Sequence, residues 1–157
     1  MKRSKTLQDF LEAAGTAFRH HATDKRAKSS VAKIFSALET ACPETDLNAT
    51  RMPVCRYPTD AANPSQFSDP MLRRMIETFC NLEPELEWRR RDGDWTGASE
   101  NFSEGHANAL IVGPGALEPR RDVSLGVSLL APHVRYPDHN HPPEETYLVM
   151  SDGEFRN

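Results

Sequence analysis

The hydrophobic period changes once along this chain, and that change limits what the chain can fold into. In the first half apolar residues recur every three or four positions. Leu7, Phe10, Leu11, Ala14 and Phe18 form one stripe, and Val31, Ile34, Phe35 and Leu38 form a second. That spacing is an α-helix with one buried face. The second helix should stop before Pro43, and the proline-broken stretch from Cys42 to Phe67 should be an extended connection. Asp69-Pro70 marks the start of a third helix, an N-cap followed by proline at the first helical position. Met71, Leu72, Met75, Ile76 and Phe79 supply its apolar face. From Leu86 onward the period is two. Asp92-Gly93, between Glu87–Arg91 and Trp95, has the composition of a hairpin turn. A polar loop, Thr96 to Gly105, leads into a strand from His106 to Val112 that ends at Gly113-Pro114-Gly115. Val123, Leu125, Val127 and Leu129 alternate with Ser124, Gly126 and Ser128, the pattern of a half-buried antiparallel strand. The expected class is α+β: a helical region over 1–85, then an antiparallel β-barrel or jelly roll over 86–157.

Size and composition narrow the function classes. A chain of 157 residues is a prior for one domain and needs no disulfide staples, since it can bury roughly 68–70% of its unfolded surface. A net charge of −4 argues against a nucleic-acid surface. The basic run Arg89-Arg90-Arg91 is short and followed by Asp92 and Asp94, which fits a solvated strand face. Cys42, Cys55 and Cys80 form no CxxC pair and are expected as reduced thiols. The N-terminus carries Asp9 and Glu12 within its apolar pattern, so it is an amphipathic helix and not a secretory signal. No apolar run approaches membrane-spanning length, and the expected compartment is the cytoplasm.

One segment carries chemistry: His139-Asn140-His141-Pro142-Pro143-Glu144-Glu145-Thr146-Tyr147. On a strand, residues two apart share a face, so His139 and His141 should project together, joined by Tyr147 if the chain stays extended. Pro142-Pro143 should bend the chain so that Glu145 swings back toward them. Imidazole nitrogen with carboxylate oxygen suits one divalent transition metal: Zn, Fe, Mn, Co or Ni. Glu144 should face the other way, into water. His106 and His133 are possible supplements to the shell, though each has a simpler place as a structural or surface residue. His20 and His21 are neighbours on a helix, where adjacent side chains diverge, so a shared ion is not expected there.

The pattern HxH, three residues, Glu, then the apolar strand Tyr147–Met150 and the turn Ser151-Asp152-Gly153 resembles the first motif of the cupin superfamily. The longer string RYPDHNHPPEETYLVMSDGEF, preceded by HANALIVGPGALEPRRDVSLGVSLLAP, resembles the cupin-type dimethylsulfoniopropionate (DMSP) lyases of the DddQ kind. The resemblance implies a carbon–sulfur lyase that cleaves DMSP to dimethyl sulfide and acrylate. It also implies that His141, Glu145 and Tyr147 are metal ligands, that His139 is the remaining motif histidine, and that Tyr136 is the base. The turn departs by one place, with Asp152 where the motif has glycine. The second cupin motif, of the form PxGxxH, is not found, so the chain resembles a family member cut short, with a barrel left incomplete, weakened ion affinity and low or no activity expected in this form.

In such a reaction the proton next to the carboxylate must leave while neutral dimethyl sulfide departs from the adjacent carbon. A divalent ion acting as a Lewis acid would stabilise the charge that develops. A tyrosine of ordinary pKa ~10 can act as base beside a dication, which favours the phenolate. Trp88, Trp95 and Tyr147 are candidates to face the sulfonium, though packing roles suit each of them equally. Two other readings stay open: a different cupin reaction such as an oxygenase or isomerase, and a non-catalytic module that binds a small molecule. Homo-oligomerisation through an uncovered sheet edge is a further expectation.

Overall fold

The structure, a computed structural model, describes residues 2–56, 63–140 and 144–154. The three helices lie where the apolar stripes put them. Helix α1 spans Lys5–His21, with the Ser4 hydroxyl accepting from the Leu7 N–H. Helix α2 spans Lys25–Ala37 and is capped by Asp24 Oδ1, which accepts from the Arg26 and Ala27 N–H groups at 2.8 and 2.9 Å. Helix α3 spans Pro70–Leu82, and Asp69 Oδ1 accepts from Met71 and Leu72. Each cap answers backbone donors that the first turn cannot satisfy internally. Among the described residues of the connection after Cys42, short 3₁₀ turns stand at Pro53–Arg56 and Pro64–Gln66 in otherwise irregular chain; residues 57–62 of that expected extended stretch lie outside the described residues.

The sheet has three antiparallel strands in chain order: β1 (Trp88–Arg89), β2 (His106–Val112) and β3 (Leu125–Leu130). Trp88 pairs with Ala109, and His106 pairs with Leu130. Along β3, Leu125, Val127 and Leu129 turn toward the core while Gly126, Ser128 and Leu130 face out, as the alternation requires. Central β2 is buried along nearly its whole length. Leu7, Phe10 and Leu11 of α1, Phe79 of α3, Trp88, and Ala107, Ala109 and Ile111 of β2 belong to one core. Among the described residues no helix is long and apolar enough to cross a membrane.

The α+β class is as expected, but the sheet is open among the described residues, and no barrel closes there. Three local expectations fail. Asp92-Gly93 is a bend with Gly93 at φ +93°, not a two-residue hairpin, because β1 takes β2 as its partner across residues 90–105. That connection contains a one-turn helix, α4 (Phe102–Gly105), where a plain loop was expected. Residues 134–140 and 144–154 form no strand, because none of the described residues offers them a ladder partner.

A buried charge network ties the N-terminal arm to the far end of β2. Glu118 is fully buried, pairs with Val112 through a bridge, and its carboxylate accepts from the Arg3 guanidinium through both oxygens and from Arg120 at 3.2 Å. Arg3 and Arg120 both donate to the Thr40 carbonyl, and Arg120 also donates to that of Ala37, past the end of α2. Burial alone would raise the Glu118 carboxyl, but the Arg3 hydrogen bond and charge outweigh it and hold it below 4.5. Removing one member of such a pair strands the others without a partner, so Glu118→Ala should cost about 3–5 kcal/mol in urea unfolding at pH 7. A carboxyl lowered by folding contributes fully above its unfolded value, and that contribution fades as pH falls below 4.5. The wild-type chain should therefore lose stability steeply on the acid side, and Glu118→Ala should flatten that slope. Equal slopes for the two chains would contradict this role.

Candidate active site

The other end of β2 begins at His106, where the rings gather. Phe102 of α4 stacks on the buried His106 ring, with centroids 4.6 Å apart and planes 12° apart. Trp95 meets Phe102 edge-on at 5.3 Å. Tyr136 stands edge-on to both Phe102 (5.5 Å) and His106 (5.0 Å), and His139 lies 5.0 Å beyond it. The Arg91 guanidinium sits 5.5 Å over the Tyr136 ring, a cation–π distance. Tyr136 and His139 are thus brought together as the sequence suggested, though by ring packing instead of strand pairing.

Backbone hydrogen bonds and two glycines fix this segment. Ala131 donates to the Gly105 carbonyl, Ser99 to Arg135, and Asp138 to Thr96, at 2.8, 3.2 and 3.1 Å. Gly97 adopts φ +78°, and a Cβ there would lie 2.7 Å from Asp138 Oδ2; a Cβ on Gly105 would run into Val134 Cγ2. Only a residue without a Cβ lets the segment lie this close.

Of the expected donors, His139, Glu145 and Tyr147 are among the described residues. His139 Nδ1 lies 3.0 Å from the Pro137 carbonyl, which can only accept, so Nδ1 carries the proton and Nε2 the lone pair. Glu145 and Tyr147 share the exposed face of an extended segment, and the Tyr147 hydroxyl donates to Glu145 Oε2. Partial burial, then the hydrogen bond and charge of Glu145, raise the Tyr147 phenol well above its ordinary value. On the opposite face, Thr146 donates to Ser30 of α2 while Leu148 and Met150 pack on the core. Glu144 is exposed on the face opposite Glu145, as expected, and there makes a surface ion pair with Arg26 of α2. His141 lies outside the described residues.

Other expectations are redistributed. Trp88 is a core residue, edge-on to Phe79 with its indole N–H donating to Glu83 at 3.0 Å, so it does not face a ligand. His133 is exposed at a turn with φ 62° and supplements nothing. His106 is structural. Its Nε2 faces Asn108 Oδ1 at 3.1 Å, its Nδ1 is buried with no hydrogen-bond partner among the described residues, and burial lowers its pKa. Arg91 is the residue that sequence reasoning missed. It is half-buried, not a solvated strand position, and its Nε also lacks a hydrogen-bond partner among the described residues. Nothing in the run Arg89-Arg90-Arg91 singles it out, whereas Phe102 flanked by Gly97 and Gly105 in a polar stretch was a usable signal. The larger surface cleft, about 710 Å³ beside Arg51, Cys55, Phe79 and Cys80, is lined by none of the site residues.

The dimethylsulfoniopropionate lyase family model matches residues 26–157. The chain belongs to the DMSP lyase family. No curated protein matches it. A solved structure described as "Crystal structures of DMSP lyases RdDddP and RnDddQII" aligns over 78% of this DMSP lyase family member and 57% of its own chain, at 19% identity and TM-score 0.48. The chain thus spans little more than half the length of that solved relative.

Gly105→Ala should push Val134 away and loosen the whole Tyr136–His139 segment, costing about 1–3 kcal/mol as an overpacked contact. Far-UV circular dichroism should be unchanged while the near-UV signal of the Trp95–Tyr136 ring cluster weakens. An unaltered near-UV spectrum with unaltered stability would contradict the packing described.

Proposed function

We propose that this chain is a metal-dependent DMSP lyase that eliminates dimethyl sulfide from DMSP and leaves acrylate. The observation that carries the reading is Tyr136, held by ring contacts between His139 and the His106–Phe102 stack with a guanidinium over its face. Family membership over residues 26–157 supports it.

In this reading His139, His141, Glu145 and Tyr147 hold one divalent transition metal such as Zn, Fe, Mn, Co or Ni. Bound there, the ion supplies positive charge that favours a phenolate and the enolate-like charge of the transition state. Tyr136 accepts the proton from the carbon next to the substrate carboxylate. The electrons of that C–H bond become the new C=C bond, the C–S pair leaves with sulfur, and dimethyl sulfide departs neutral. Arg91, with a buried Nε that has no hydrogen-bond partner among the described residues, takes the substrate carboxylate in this reading. In this reading the faces of Trp95 and Tyr147 attract the sulfonium, each by ~0.5–2 kcal/mol. Cys42, Cys55 and Cys80 form no disulfide among the described residues, which suits the reducing cytoplasm of this reading.

Headspace detection of dimethyl sulfide from the chain extended to the length of its solved relative, supplied with DMSP and a divalent ion, tests this directly. Dimethyl sulfide and acrylate should appear in equal amounts. Tyr136→Phe should lower turnover by about 10²–10⁴-fold, the usual worth of a general base, with ion occupancy unchanged. Arg91→Ala should raise KM more than it lowers kcat. Absence of dimethyl sulfide, oxygen uptake in its place, or full activity in Tyr136→Phe would overturn the assignment.

A further inference from the structure

We propose that the junction of α1 and α3 is a second cation site, in which His20, His21 and Asp69 hold a divalent ion of the zinc class. The two histidines do not diverge as helix geometry suggested. They end α1, where their rings turn edge-to-face at 4.9 Å and both reach toward the cap residue of α3. Asp69 Oδ2 lies 3.3 Å from His21 Nε2 and 4.0 Å from His20 Nε2, and all three donor atoms fall within 4.8 Å of one another. No other group of three His, Cys, Asp or Glu donors among the described residues gathers this closely.

Two observations set this cluster apart from a chance surface pair. His21 Nε2 is buried and, despite its closeness to Oδ2, makes no hydrogen bond among the described residues. The nitrogen and oxygen are therefore not aimed at each other. Asp69 also divides its carboxylate between two tasks: Oδ1 caps α3, and Oδ2 faces the histidines. Zinc–ligand distances of ~2.0–2.2 Å place tetrahedral neighbours roughly 3.3–3.5 Å apart. The His21–Asp69 pair already meets that spacing. His20 is half-exposed and must close by less than about 1 Å, a small ring rotation. Two imidazoles and one carboxylate select first-row transition ions over magnesium or calcium, and water completes the shell. The negative end of α1 adds a favourable field. Such an ion would pin the end of α1 to the start of α3, two helices already joined through Phe10 and Phe79. It shares no residue with the His139 segment.

The test uses the full chain with His139→Ala, His141→Ala and Glu145→Ala combined, stripped of metal. Titration with Co²⁺ should give one bound equivalent with the visible absorption of a four-coordinate site, displaced by Zn²⁺. Adding His20→Ala or His21→Ala should weaken binding at least ~10-fold. Asp69→Asn should weaken it as well while preserving the helix cap, since asparagine caps as well as aspartate. Zn²⁺ should raise the Tm of the triple variant and leave that of its His21→Ala derivative unmoved. No bound equivalent in the triple variant, or equal affinity after both histidine substitutions, would overturn the site.

Discussion

The carboxylate of Glu118 anchors this fold. It is fully buried between Arg3 and Arg120, and through them it joins the N-terminal arm, the end of α2 and the turn that follows β2. A lone charge in that position would be very costly, so the partners must arrive together, and that requirement fixes the helices relative to the sheet. With one end of β2 secured in this way, His106 at the other end becomes a stable platform. The Phe102, Tyr136 and His139 rings build outward from it.

The consequence for function is a site assembled without a ladder. Tyr136 and His139 sit on irregular chain whose position depends on ring faces, three backbone hydrogen bonds and two glycines that admit a close approach. Glu145 and Tyr147 arrive separately, on an extended segment that leans its other face on α2 through Glu144 and Thr146. Tyr136, Arg91, Phe102 and Trp95 meet in that one ring cluster.

Much of this was legible in the sequence, and the misses share a cause. Helix faces, the Asp69-Pro70 cap, β2 ending at Gly113 and the alternation of β3 are local signals, and the structure follows each of them. What failed were judgements about which segments are partners. Asp92-Gly93 has hairpin composition, yet β1 pairs with β2, since a turn signal does not state which strand lies beside which. Tyr147–Met150 alternates like a strand, yet alternation reports a half-buried extended chain and not a hydrogen-bonded neighbour. Trp88 and Arg91 exchanged expectations for a similar reason: burial is set by tertiary packing that composition does not reveal. The convergence of His20 and His21 on Asp69 depends on a contact between two helices almost fifty positions apart in sequence.

The central claim is that His139, Glu145 and Tyr147 surround a single ion beside Tyr136. The most direct measurement is an anomalous difference map from crystals of this chain grown with Zn²⁺ or Mn²⁺. The account expects a peak about 2.0–2.2 Å from His139 Nε2 and a Glu145 oxygen, with the Tyr136 ring alongside. Anomalous density confined to other parts of the molecule, with His139 and Glu145 turned apart, would contradict it.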